Sequence, residues 1–150
     1  RESAFFWEER NIWFSDLWNL KGTRQKLNGK ELRERSAAYP FELPFRIIAM
    51  YSVKGDIILD PFMGTGSTHA AAIGLKRNSI GYEIDQSFED TIEETKKNGV
   101  DWGIKRQQQR IDDHLEFIKQ REASGKKIKH FNEHQNFKVM TSQERELRIP

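Results

Sequence analysis

Cysteine is absent from the 150 residues, which excludes a disulfide framework, a thiolate nucleophile and a zinc–thiolate site. Proline is scarce: Pro40, Pro44, Pro61 and Pro150 are the four, and no two are adjacent. No apolar run approaches the roughly 18–20 residues that a membrane helix needs. The opening residues are charged and aromatic, not a basic-then-apolar leader, so a secretory signal is not expected and a reducing cytoplasm fits. Net charge is only +2, too small to imply nucleic acid by itself. Its distribution says more. Lys21 to Arg35 holds six basic residues against two acids, and Glu83 to Glu94 holds six acids and no base. A basic stretch can meet phosphates, although a solvated loop would look the same.

What is present suits one α/β domain with a modest core. The first twenty residues hold three of the four tryptophans and read as core or interface. Pro44 falls in the first turn of a helix whose Leu43, Ile47, Met50 and Tyr51 share a face, ending near Gly55. "DIILD" reads as a buried parallel strand, "PFMGTG" as a turn, "STHAAAIGLKR" as a helix and "NSIGYEID" as the next strand. An acidic helix then ends near Gly99. A separate long helix follows, with Ile104, Ile111, Leu115 and Ile118 as its packing stripe; a subunit contact is the alternative use. Asp112, Asp113, His114 and Glu116 read as that helix's wet face. The tail from Lys126 is polar, with one short strand at "NFKVM".

The glycine turn carries the chemistry. Gly64 and Gly66 allow a tight turn and close backbone approach to a ligand, and the next helix starts with unpaired N–H groups. Glu83 follows Gly64 by nineteen residues, near the spacing of an acid that accepts ribose hydroxyls. A P-loop needs Lys and then Ser or Thr after its last glycine; Ser67, Thr68 and His69 stand there instead. A dinucleotide turn wants a third glycine where His69 sits. Asp60, at the entrance of the turn, suits a positively charged ligand and opposes pyrophosphate. A ligand with ribose, adenine and a cationic methionine end, S-adenosylmethionine, fits these residues best.

With those residues in view, "LDPFMGTGST" resembles the first motif of the DNA amino-methyltransferases, which methylate cytosine N4 or adenine N6. "RSAAYPFELPFRIIAMYSVKGD" resembles the motif that precedes it in the permuted group, "RNSIGYEID" the second motif, and "NIWFSDLWNLKGTRQ" a tryptophan-containing strand upstream. The resemblance covers about residues 11–88. It implies part of a Rossmann-like, S-adenosylmethionine-dependent methyltransferase fold. Residues 1–35 would form an aromatic strand and basic loop, 36–100 the cofactor-binding α/β core, and 101–150 a C-terminal helix and polar tail. By position, Asp60 would lie near the methionine amine and Phe62 would form a wall. Gly64 and Gly66 would give backbone approach, Ser67 and Thr68 would offer N–H and hydroxyl groups, Glu83 would hold the ribose hydroxyls and Ile84 would pack on adenine. Ala38, Tyr39 and Phe41 would line the methionine side, although Tyr39 and Phe41 fit core packing equally well.

Two departures matter. Ser36-Ala37-Ala38-Tyr39-Pro40 replaces the family's His-Pro-Ala, and the catalytic Pro-Pro-aromatic motif has no counterpart, so no catalytic residue is assigned. The resemblance thus implies the cofactor-binding half of a restriction-modification enzyme from a prokaryotic cytoplasm, acting on double-stranded DNA. The catalytic motif would come from upstream residues or a partner subunit, and the opening on Arg1 favours a partial chain. Cytosine N4 is the favoured target; adenine N6 methylation and a non-catalytic cofactor-binding or structural subunit are the alternatives. Lys21, Arg24 and Lys26, with Lys30, are candidates for DNA phosphates. His130 and His134 lie four apart without a third ligand, so no metal site is expected.

Overall fold

The structure, a computed structural model, describes residues 4–21 and 38–149. They fall into two compact units, residues 19–104 and residues 1–18 with 105–150. This partition differs from the three consecutive stretches expected above. Helix α1 (Trp7–Trp13) lies in the second of these units.

In the 19–104 unit, helix α2 (Glu42–Tyr51) leads to strand β1 (Ile57–Asp60), helix α3 (Ser67–Gly74) and strand β2 (Asn78–Gly81). β1 and β2 are parallel, with Ile57 opposite Asn78 and Asp60 opposite Gly81. This is a βαβ unit, the building block of a Rossmann-like sheet; the turn, helix and second strand lie where the sequence reading put them, although the helix ends at Gly74 and the strand at Gly81, each earlier than expected. Arg77 pins its lower end: its guanidinium donates to Ser52 Oγ at 3.1 Å, to the Ser52 carbonyl at 2.9 Å and to the Leu75 carbonyl at 2.5 Å.

The core here is built from Phe45, Ile48 and Ala49 of α2, Ala70, Ala71 and Ala72 of α3, and Leu75 and Phe88. The expected face of α2 is therefore not the buried one: Ile47 is 44% and Tyr51 74% exposed. This short helix carries two apolar stripes, and packing chooses between them. The helix also stops at Tyr51, before Gly55, which turns the chain into β1 with φ +90°. β1 is less buried than expected as well. Ile57 is 66% and Leu59 61% exposed, because the two-stranded sheet has one uncovered face among the described residues.

Helix α4 (Glu89–Ala123) is one helix of 35 residues, where two were expected. Gly99 and Gly103 read as a break, yet both serve close packing. A Cβ on Gly99 would lie 2.8 Å from Ala70 Cα, and one on Gly103 would fall on Gly74 Cα. Contact with α3 holds the helical conformation through residues of poor helix propensity.

In the other unit, α1 takes up part of the stretch read as a tryptophan-containing strand, which is therefore helical there. Glu8 and Glu9 occupy its first turn, favourable to the helix dipole, and Glu9 Oε2 accepts the Phe6 N–H at 2.8 Å. Phe6 and Trp13, seven apart, are both buried. The stripe of α4 that packs in this unit is mostly polar: Gln107, Arg110, His114 and Ile118 are buried, while Leu115 is 44% exposed. Ile104 is also open, at 64%, so the expected isoleucine–leucine stripe is only partly used. The reason is that α1 brings acids to it. Arg110 binds Glu9 through Nε at 2.6 Å and Nη2 at 2.7 Å. His114, fully buried rather than on a wet face, lies 2.5 Å from Glu8 Oε1 through Nδ1 and 2.8 Å from the Lys138 carbonyl through Nε2. Its ring stacks on Phe6 at 4.0 Å.

Strands β3 (His130–Asn132) and β4 (Phe137–Val139) form an antiparallel hairpin. β4 matches the expected strand, and β3 was not anticipated. Asn132, buried, donates to the Glu144 and Leu147 carbonyls at 2.8 and 2.7 Å. His130 lies on β3 and His134 in the loop, where His134 Nε2 is 3.3 Å from Glu146, so the pair does not share a helix. Among the described residues no group of three potential metal ligands exists and no helix is long and apolar enough to cross a membrane.

Candidate functional site

The carboxyl ends of β1 and β2 meet at the glycine turn. Backbone pairing continues past both strands: Tyr82 N–H donates to the Asp60 carbonyl at 3.0 Å and Met63 N–H to the Tyr82 carbonyl at 2.9 Å. The turn is thereby folded onto the end of β2. A Cβ on Gly81 would meet Met63 Sδ at 2.5 Å and His69 Cε1 at 2.6 Å, which explains a glycine inside that strand. Gly64 has φ +53° and Gly66 φ +82°, both in the left-handed region that favours glycine. Gly66 caps α3, and Ala70 N–H returns to its carbonyl at 3.0 Å.

Four side chains organise the turn. Asp60 Oδ1 accepts the Phe62 N–H at 3.1 Å. The Tyr39 hydroxyl lies 2.7 Å from Thr68 Oγ1 and donates to Asp60 Oδ2 at 3.4 Å, so it ties the strand-end acid to the start of α3. Ser67 Oγ donates to the Tyr39 carbonyl at 3.3 Å. Glu83 closes the other side, with Oε2 accepting from Gly64 N–H at 2.8 Å and Oε1 from Asp85 N–H at 2.9 Å. Burial pushes the Tyr39 phenol up, reinforced by the nearby Asp60 charge and only partly offset by the Thr68 hydrogen bond. His69 shifts down, chiefly through burial and then through the charge of Lys96. Its Nδ1 is buried without a hydrogen-bond partner.

Tyr39, Ser67 and Glu83 border a cleft of about 320 Å³. Of the residues singled out in the sequence, Ala38, Tyr39, Phe62, Gly64, Ser67 and Glu83 line it. Asp60 and Thr68 instead face a neighbouring groove of about 350 Å³ with Leu43, Pro44 and Ile47, and Tyr39 borders both. Gly66 lies behind the turn, with Ile92 3.7 Å from where its Cβ would stand. Phe41 packs on Phe45 and Trp102 at 5.4 and 5.7 Å, the core role left open by the sequence. Ile84 is 97% exposed. Lys21 is exposed, and Arg24, Lys26 and Lys30 lie outside the described residues. Sequence reading missed Met63, Thr65, Asp85 and Phe88 as cleft residues. Asp85 had a visible signal: its side chain accepts from Ser87 N–H at 3.0 Å, an Asx turn written as Asp-Gln-Ser.

The chemistry of this donor set is specific. Two carboxylates can accept hydroxyl and ammonium protons, backbone N–H groups can donate to ligand oxygens or ring nitrogens, and aromatic side chains supply flat walls. A pyrophosphate would face Asp60 and Glu83 with like charge.

The sequence matches the DNA methylase family over residues 1–94. The chain belongs to that family. Relatives in the same class include the type II methyltransferase M.MthZI of Methanothermobacter thermautotrophicus, 53% identical over 99% of this chain and 41% of its own length. M.MjaI of Methanocaldococcus jannaschii is 47% identical over 77% of this chain and 36% of its own length. This DNA methylase chain thus spans about two fifths of those relatives. A solved chain from Thermus thermophilus, a DNA modification methylase complexed with S-adenosyl-L-methionine, is 30% identical with a TM-score of 0.48, over 62% of this chain and 33% of that one.

Proposed function

We propose that this chain is the S-adenosylmethionine-binding part of a DNA methyltransferase of the restriction-modification type, acting on an exocyclic base amine in double-stranded DNA in a prokaryotic cytoplasm. Cytosine N4 is the favoured target, on the resemblance of "AAYPFELP" to that group. The single observation that carries the reading is the placement of Glu83. Its carboxylate bridges the second strand end to the Gly64 amide at 2.8 Å and forms one wall of the 320 Å³ cleft.

The residues fit the cofactor. Glu83 accepts one backbone N–H on each oxygen, and each oxygen has a further lone pair for a ribose hydroxyl. Asp60, held by the Phe62 N–H and the Tyr39 hydroxyl, offers a fixed negative charge for an ammonium. Among the described residues, and apart from its chain neighbours, no atom lies within 4 Å of a Cβ built on Gly64, which leaves room for a ligand to approach the backbone there. When bound, the cofactor supplies a methyl group already activated by the sulfonium. The chain's own contribution is orientation and electrostatics. Glu83 would hold the ribose end in the cleft, Asp60, on the neighbouring groove, would offer its charge to the ammonium end, Tyr39 holds Asp60 in place, and Phe62 and Phe88 line the cleft. The grip on the base amine is assigned to a Pro-Pro-aromatic segment on upstream residues or a partner subunit.

Calorimetric titration with S-adenosylmethionine tests the reading. The 150-residue chain is expected to bind it and the Glu83→Ala variant to lose most of that affinity. No methyl transfer to duplex DNA is expected from this chain alone; turnover would mean that the amine-gripping residues are within it. A wild-type chain that shows no binding would remove the basis for the assignment.

A further inference from the structure

We propose that the outer face of the β3–β4 hairpin is a second DNA-contacting surface, a basic platform with an aromatic centre that engages the phosphate backbone. The choice of DNA as partner rests on the function proposed above; the surface itself rests on the following observations.

Between residues 124 and 140 the sequence holds Lys126, Lys127, Lys129 and Lys138 against one acid, Glu133. All four lysines are exposed. Lys138 pairs with Glu122, whereas no ion pair among the described residues engages Lys126, Lys127 or Lys129. Three unneutralised cations within four positions are what phosphate binding requires, because the affinity comes from release of counterions from the DNA.

The arrangement is directional. Phe131 pairs with Lys138 across the hairpin, and Asn132 with Phe137. Side chains alternate along a strand, so the buried Asn132, Phe137 and Val139 face inward. Phe131 and Lys138 face outward, and the exposed Lys129 lies just before the start of β3. Phe131 is 43% exposed, lies opposite Lys138 across the hairpin and follows Lys129 by two positions in the sequence. An exposed phenylalanine of this kind gives flat apolar contact with the sugar edge or a base, beside lysines that hold the phosphates.

The platform is held rigidly from behind. The Lys138 carbonyl lies 2.8 Å from His114 Nε2, Asn132 makes three hydrogen bonds, and Gly125 turns the chain out of α4 with φ +77°. A prepositioned basic face loses less entropy on binding than a free tail of the same composition.

The test is fluorescence anisotropy of the 150-residue chain with a labelled duplex of about 20 base pairs, without cofactor, across a salt series. The triple variant Lys126→Ala/Lys127→Ala/Lys129→Ala is expected to bind at least about tenfold more weakly near 100 mM salt, with the slope of log K against log salt reduced by up to about 3. Phe131→Ser is expected to lose severalfold in affinity with the slope unchanged. A control triple, Lys54→Ala/Lys97→Ala/Lys105→Ala, makes the same change in net charge on exposed lysines outside the hairpin segment and should lose less. Equal losses in the two triples, or a hairpin triple with wild-type affinity and slope, would overturn the proposal. So would polyglutamate competing as well as duplex, which would point to an acidic protein partner. Titration of the hairpin triple with S-adenosylmethionine should give the wild-type affinity, so a failure of the cofactor reading is seen separately from a failure of this one.

Discussion

Glu83 reaches back from the end of β2 to the glycine turn, its Oε2 accepting the Gly64 amide at 2.8 Å. The acid proposed to hold the ribose is thus also a strut of the turn that would bind the rest of the ligand. Glu83→Gln keeps the size but replaces a carboxylate with a neutral group whose nitrogen cannot accept. Hydrogen bonds to a charged group contribute about 1.5–3 kcal/mol, so S-adenosylmethionine affinity is expected to fall roughly 10- to 100-fold. Calorimetry measures the loss, and circular dichroism checks that the fold is kept.

Tyr39 acts on the other carboxylate. Its hydroxyl joins Asp60 and Thr68, and its raised pKa, caused mainly by burial, keeps it a neutral donor at ordinary pH. Tyr39→Phe is expected to weaken S-adenosylmethionine severalfold while leaving methylthioadenosine, which lacks the amino-acid end, unaffected. Equal losses for both ligands would mean that Tyr39 supports the whole cleft and not Asp60.

Gly103 and Gly74 set how closely α4 approaches α3. Alanine at Gly103 would gain about 1 kcal/mol in helix propensity. The new methyl group, however, would land on the Gly74 backbone, which cannot swing aside as a side chain would. Overpacking costs about 1–3 kcal/mol or more, so the net effect of Gly103→Ala is expected to be a lower melting temperature. Lys97→Ala, on the exposed side of the same helix, should leave it unchanged.

His114 carries a pH dependence. Burial disfavours its charge, but the hydrogen bond and charge of Glu8, the Lys138 carbonyl and the Glu144 charge together raise its pKa above 6.5. Both ring nitrogens face acceptors, so the folded unit favours the imidazolium. The stabilisation is therefore fully present below the unfolded pKa, about 6.5, and is lost as pH rises through the higher folded value. Urea midpoints followed by tryptophan fluorescence should be higher near pH 6 than near pH 9, and His114→Gln should flatten that difference.

The βαβ core was legible in the sequence because every signal in it is local. The apolar run before Asp60, the glycines at 64 and 66, the small residues of α3 and the acid at 83 each state their role within a few positions. The failures have a common cause in partners distant along the chain. Gly99 and Gly103 read as a break because Ala70 and Gly74 could not be seen beneath them. His114 read as wet because Glu8 and Phe6 lie more than a hundred residues away. Asp60 stands at the end of β1 where the turn begins, but its hydrogen bond to Tyr39 and its place on the neighbouring groove depend on how α2 docks.

The pairing of Glu8 and Glu9 with His114 and Arg110 has a consequence for biosynthesis. Residues 19–104 cluster as one compact unit, whereas the segment around Phe6 finds its partners only late in the chain. The aromatic segment around Phe6 emerges earlier yet must wait, with its tryptophans uncovered, until the β3–β4 hairpin has been translated. During that interval its aromatic side chains are open to capture by a chaperone.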